Sequence, residues 1–104
     1  MHPEQLAAKL QNGDSVYLVD VRQQWENEYC QLANSLLIPL AELPSRLEEV
    51  VPPAGATIVV YCHHGVRSLS GASILRQAGF QNVASLSGGI EAWSLLVDPK
   101  VPRY

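Results

Sequence analysis

Short apolar runs alternate with stretches of helical spacing along the chain. Val16-Tyr17-Leu18-Val19-Asp20-Val21 is almost unbroken in its apolar character, as expected of a strand covered on both faces. Thr57-Ile58-Val59-Val60-Tyr61 is a second such run and the strongest strand signal, because β-branched residues fill it. Ser35–Ile38, closed by Pro39, and Val83–Leu86 predict two shorter strands. Between them, Leu6 and Leu10 lie on one face of a predicted helix that Asn12-Gly13 stops. A short helix is expected over Trp25–Cys30. Leu40, Leu43 and Leu47 keep helical spacing, which Pro44 must interrupt or restart. Pro52-Pro53-Ala54-Gly55 is a connector. Two further helices are predicted, one from about Ser68 to Ala78 and ended by Gly79, the other over Gly89–Val97. Residues 98–104, with prolines at 99 and 102, are expected to run extended. Strands alternating with helices give an α/β domain with a mostly parallel, buried sheet, one domain over residues 1–104.

Composition narrows the possible functions. With 47% hydrophobic residues in 104, the chain can build one core without disulfides or a structural metal. A formal charge of −3, with seven scattered Lys and Arg, excludes a broad nucleic-acid-binding face. No apolar run approaches a membrane span, and no charged-then-apolar leader pattern is visible. Two cysteines without a C-x-x-C are not a disulfide framework. A soluble, cytoplasmic domain is the expectation.

Candidate chemistry concentrates in Val59-Val60-Tyr61-Cys62-His63-His64-Gly65-Val66-Arg67-Ser68. A buried strand delivers Cys62 to its C-terminal end, where ligands bind in open parallel sheets. A helix begins at or near Ser68, so loop amides and a helix N-terminus converge on one small volume. Such a nest attracts anions and favours thiolate over thiol. Gly65 allows a sharp turn and a close backbone approach. Arg67 brings a permanent charge suited to an oxyanion or to the loop's own structure. A lone cysteine at a strand end is ordinarily a packing residue. Combined with Gly65, Arg67 and the strand-to-helix switch, it is expected to be a nucleophile.

The segment Cys62-His63-His64-Gly65-Val66-Arg67-Ser68 resembles the active-site loop of the rhodanese-like sulfurtransferases. Leu18-Val19-Asp20-Val21-Arg22 is similar to that family's Asp-x-Arg strand end, with Glu26 at the expected offset. Ile38-Pro39 and Leu86-Ser87-Gly88-Gly89-Ile90-Glu91-Ala92-Trp93 match its later segments, in the right order. The resemblance implies a rhodanese-like fold, with a mostly parallel central sheet of about five strands and helices on both faces. It also implies sulfur transfer. Cys62 takes an outer sulfur from a thiosulfate-like donor and passes it to a thiol, cyanide or possible acceptor-protein thiol. Only His63, His64, Gly65 and Val66 separate Cys62 from Arg67, one residue fewer than in the Cys-based phosphatases. The smaller loop suits a persulfide better than a phosphate. On this view Arg67 and the loop amides stabilise the charge, with Val66 and Ser68 completing the loop. No cofactor or metal is needed.

The chain also departs from the family pattern. His63 stands where many members carry Arg beside the cysteine. Either histidine is a candidate substrate contact, or a solvent-facing loop residue whose charge varies near pH 6 to 7. Cys30 and Gln31 replace a usual Gly-His. Asn34 replaces a Gly, at a turn that Asn tolerates. Tyr29 is expected to fill the space of an aromatic normally found after Glu26. Asp20 and Arg22 are read as a structural pair near the sheet's C-terminal edge, Trp25 and Trp93 as packing residues, and His2 as solvated. Cys30 is read as a buried thiol rather than a resolving cysteine. A metal on Cys62, His63 and His64 is disfavoured, because three consecutive residues cannot easily converge on one tetrahedral ion. The alternatives are a catalytically silent binding or regulatory module and, less favoured by loop length, a phosphatase or arsenate reductase.

Overall fold

The structure is a computed structural model and describes residues 1–104. Four parallel strands form its sheet: β1 (Val16–Asp20), β2 (Leu36–Leu37), β3 (Thr57–Tyr61) and β4 (Val83–Ser85), in the order β2-β1-β3-β4. The parallel α/β architecture is as expected, with four strands where about five were anticipated. Around the sheet lie α1 (Pro3–Gln11), α2 (Gln24–Tyr29), α3 (Val66–Gln77) and α4 (Gly89–Leu96).

The unbroken apolar runs have a direct cause. In β1 and β3, Val19, Ile58 and Val60 face one core with Ala72 and Leu75 of α3 and Leu43 of the following turns. Leu18, Val59 and Tyr61 face a second core with Leu6 of α1 and Ile90 and Trp93 of α4. With both faces covered, neither strand needs polar positions.

Several local details differ from the expectations. The Leu40–Leu47 stretch forms two 3₁₀ turns, Leu40–Ser45 and Leu47–Glu49, because Pro44 cannot supply the amide a continuous α-helix requires. β2 shrinks to two residues. α3 begins at Val66, two residues before Ser68, with Gly65 as its N-cap at φ 96°. Asn34 does take the positive φ (64°) that its position demands. Trp93 is buried as expected, but Trp25 is 61% exposed and is not a core residue. His2 is exposed and also caps α1, its Nδ1 accepting from the Glu4 amide at 3.2 Å. Residues 98–101 turn rather than extend, through a Val101 N–H to Asp98 carbonyl bond of 3.1 Å. No helix is long and apolar enough to cross a membrane.

β1 and β3 are adjacent in space, while the chain leaves β1 toward β2 and β3 toward β4. The strand order therefore reverses between their C-terminal ends, where an open parallel sheet forms its crevice. Asp20 ends β1 there and leads into Val21 and Arg22, and Cys62 follows β3.

Candidate active site

Cys62 leaves β3 almost fully enclosed, at 1% exposure. Its Sγ accepts hydrogen bonds from the backbone amides of Gly65 (3.1 Å) and Ser68 (3.3 Å). Amides turn inward because the carbonyls turn outward onto the start of α4. The carbonyl of Cys62 accepts from the Ile90 amide at 2.9 Å and that of His63 from the Glu91 amide at 3.1 Å. Gly88 and Gly89, at φ 73° and 63°, make this close approach possible. A Cβ on Gly89 would collide with the carbonyls of both Cys62 and His63. The Gly-Gly signature is thus the clamp that seats the cysteine loop.

A thiol on Cys62 has one side-chain acceptor, Ser68 Oγ at 3.5 Å, and Ser68 Oγ lies 2.7 Å from Ser85 Oγ. Ser85 in turn lines an open cleft of about 410 Å³ beside Gly65, Leu69 and Gly88. The two serines form a hydroxyl path from the buried sulfur toward that cleft.

Arg67 does not point its charge at the sulfur. Its guanidinium donates to both oxygens of the Glu26 carboxylate, at 2.6 and 2.8 Å, and makes no hydrogen bond to Cys62. Of the two roles open to it, oxyanion partner or structural anchor, the geometry fits the second. Glu26, on α2, is 3% exposed. Burial alone would raise its carboxyl pKa, but hydrogen bonds from Arg67 and Tyr104 outweigh that and bring it down to about 2. Asp20 and Arg22 are both fully buried and paired at 2.8 Å. Arg22 also donates to the Cys30 carbonyl at 2.7 Å, and Asn27 donates to Asp20 at 3.0 Å. Breaking a pair of this kind strands a buried charge at a cost of roughly 3–5 kcal/mol, so its role is to hold the end of β1. Cys30 is a free, buried thiol against Arg22, at 3.9 Å.

His63 and His64 part company. His64 is exposed; His63 is half-buried, and the rings stack at 3.8 Å. The other face of His63 is covered by Tyr104, at 3.7 Å and 9° between planes. Burial, and then the neighbouring His64, hold the His63 pKa below the usual histidine value, which makes the ring neutral near pH 7. Its Nε2 is buried without a hydrogen-bond partner. Val66 is 74% exposed on the rim.

The structure thus gathers Gly65 and Ser68 around the Cys62 sulfur, with the His63 ring stacked between His64 and Tyr104 and Arg67 turned to Glu26. Three contributors carried no assigned role in the sequence. Glu26 was visible only as an offset from Asp20 and Arg22. Ser85 sits in an ordinary short strand. Tyr104 lies in a segment without periodicity, and nothing in its surroundings marks it.

Comparison with known proteins agrees with this arrangement. The family model described as a rhodanese-like domain matches residues 2–96. A sulfurtransferase of Allochromatium vinosum is 34% identical over 91 residues, covering 88% of this chain and 83% of its own length. The thiosulfate sulfurtransferase GlpE of Coxiella burnetii is 37% identical over 78 residues, covering 75% of this chain and 71% of its own. Of six longer relatives the chain spans only 20–36%. A solved rhodanese-like domain protein from Staphylococcus aureus superposes with a TM-score of 0.82 at 26% identity, covering 100% of this chain and 96% of that one. With the cysteine loop, the Asp20–Arg22 strand end and the Gly88-Gly89 clamp all in place, the chain belongs to the family of rhodanese-like domains.

Proposed function

We propose that this domain is a sulfurtransferase in which Cys62 is the nucleophile. The Cys62 thiolate attacks the outer sulfur of a sulfane donor such as thiosulfate, and a new S–S bond forms. The donor's own S–S bond breaks with its electron pair leaving on sulfite, so Cys62 carries a persulfide. A thiol or cyanide acceptor then takes that outer sulfur and returns the thiolate.

The observation that carries this proposal is the pair of amides, from Gly65 and Ser68, aimed at a cysteine sulfur that is otherwise walled in. Amides fixed in this way favour an anionic sulfur and need no reorganisation when charge arrives. The tight enclosure suits one added sulfur atom better than a tetrahedral phosphoryl group. The relatives named sulfurtransferases support the same reaction class.

The test is intact-protein mass spectrometry after incubation with thiosulfate. The expected result is one added sulfur on the wild type, removed by cyanide and absent from Cys62→Ser. A wild-type protein that stays unmodified with thiosulfate, an organic persulfide and polysulfide alike would overturn the proposal.

A further inference from the structure

The segment after α4 returns to the site under several restraints. Ser94 Oγ donates to the Val101 carbonyl at 2.7 Å, and Arg103 pairs with Glu91 at 2.9 Å. These contacts bring Tyr104 beside the cysteine loop. Its ring lies flat on His63, and the rings of Trp25 and Tyr29 pack nearly perpendicular to it at centroid distances of 5.7 and 5.8 Å. Its hydroxyl donates to Glu26 Oε2 at 2.6 Å and accepts from Arg22 Nη1 at 2.9 Å. The other oxygen of Glu26 is the one that Arg67 approaches most closely. One side chain therefore touches a loop residue, the carboxylate that anchors the loop's arginine, and the buried arginine just after β1.

We propose that Tyr104 is a positioning residue of the active site, acting through His63 with its ring, while its hydroxyl adds only a lesser contact to a Glu26 already held by Arg67. The proposal rests on the sulfur-transfer function above. The two contributions are separable in principle. Removing only the hydroxyl leaves Glu26 paired with Arg67, and leaves Arg22 paired with Asp20 and the Cys30 carbonyl. Removing the ring uncovers one whole face of His63 and gives water access to an Nε2 that now has no partner. His63 is then free to leave the rim of the loop, and the aromatic wall formed with Trp25 and Tyr29 opens. The groups facing His63 are His64, Tyr104, Glu26, Glu91 and Arg67. Only Tyr104 changes in this experiment.

The experiment compares wild type, Tyr104→Phe and Tyr104→Ala as full chains. Two quantities are read: the His63 imidazole titration by NMR, and kcat and KM for thiosulfate with cyanide as acceptor. In Tyr104→Ala, loss of cover moves the His63 titration upward, toward the ordinary histidine value. The same variant loses roughly 10- to 100-fold in kcat/KM, the range expected when a residue of the active-site loop is displaced. Tyr104→Phe keeps the wild-type titration and recovers most of the activity. If Tyr104→Ala does not fold, Tyr104→Leu replaces it, retaining bulk without the flat stack. An unchanged His63 titration in the ring-deleted variant overturns the proposal, and so does a Phe variant as impaired as Ala. A shifted titration with unchanged kinetics overturns it too, since the contact would then be structural only. Wild type that transfers no sulfur from any donor refutes the sulfur-transfer function and the positioning role together. The titration still reports separately whether the stack exists.

Discussion

Glu26 receives three side-chain hydrogen bonds, two from Arg67 and one from Tyr104. Its folded pKa of about 2 lies below the ordinary value of 4.5, so between those values the unfolded chain binds more protons than the folded one. The stability it contributes is fully present above pH 4.5 and is lost as pH falls toward about 2. Because Arg67 is about one-third exposed, solvent screening limits this to roughly 1–2 kcal/mol. Glu26→Gln should therefore lower urea-unfolding stability at pH 7 by about that amount and flatten its decline between pH 4.5 and 2. Equal pH slopes in the two proteins would refute the assignment. Residue patterns exposed Cys62, Gly65 and Arg67, because each has a local signature at short spacing. Glu26 and Tyr104 were not legible as site residues. Glu26 meets Arg67 only through the fold, and Tyr104 meets all its partners across the whole length of the domain. His63 was named as a candidate, but the covering of its ring was not readable from its neighbours.

At the scale of elements, the site is assembled by two consecutive strand–helix units. β3 and α3 supply the sulfur and the amides; the start of α4 holds the loop between them by its carbonyls. Gly89 is the contact point. Gly89→Ala must place a side chain against two carbonyls at a backbone φ of 63°, so something has to shift. The expected cost is roughly 2–4 kcal/mol, combining strain at positive φ with overpacking. Persulfide formation should be lost or strongly reduced, although no reacting group is altered. Thermal melting and mass spectrometry of that variant check both parts; a protein as stable and as active as wild type would show the clamp to be dispensable. The helices and long strands were legible because burial on both faces leaves continuous apolar runs and Gly ends the helices cleanly. β2 and the turns around Pro44 were less so. A two-residue strand has no period, and proline leaves the choice between 3₁₀ and α geometry to packing.

Across the whole molecule, the arginines are largely neutralised. Arg22, Arg46, Arg67 and Arg103 each face a carboxylate, and the chain carries a formal charge of −3. Around the loop, Arg67 is paired with Glu26 and Arg103 with Glu91, so the arginine left without a carboxylate partner is Arg76, which donates to the Val83 carbonyl and lines the cleft beside Gly65. The expected signature is kinetic. With one unpaired arginine at the cleft, the kcat/KM for thiosulfate should fall only shallowly as added salt goes from about 10 to 150 mM. A steep fall would reveal an attractive field that these pairings deny. Charge balance of this kind was not visible in composition, which counts ionic groups but not their partners.

The clamp on the loop carbonyls also makes two remote amides into observers. The N–H groups of Ile90 and Glu91 belong to another helix and touch neither sulfur nor ligand, yet each is protected only while the loop carbonyls are seated on it. Their deuterium uptake therefore reads the opening and closing of the cysteine loop from outside. A sulfur atom arriving on Cys62 would register there as a change in exchange rate, without any label on the cysteine itself.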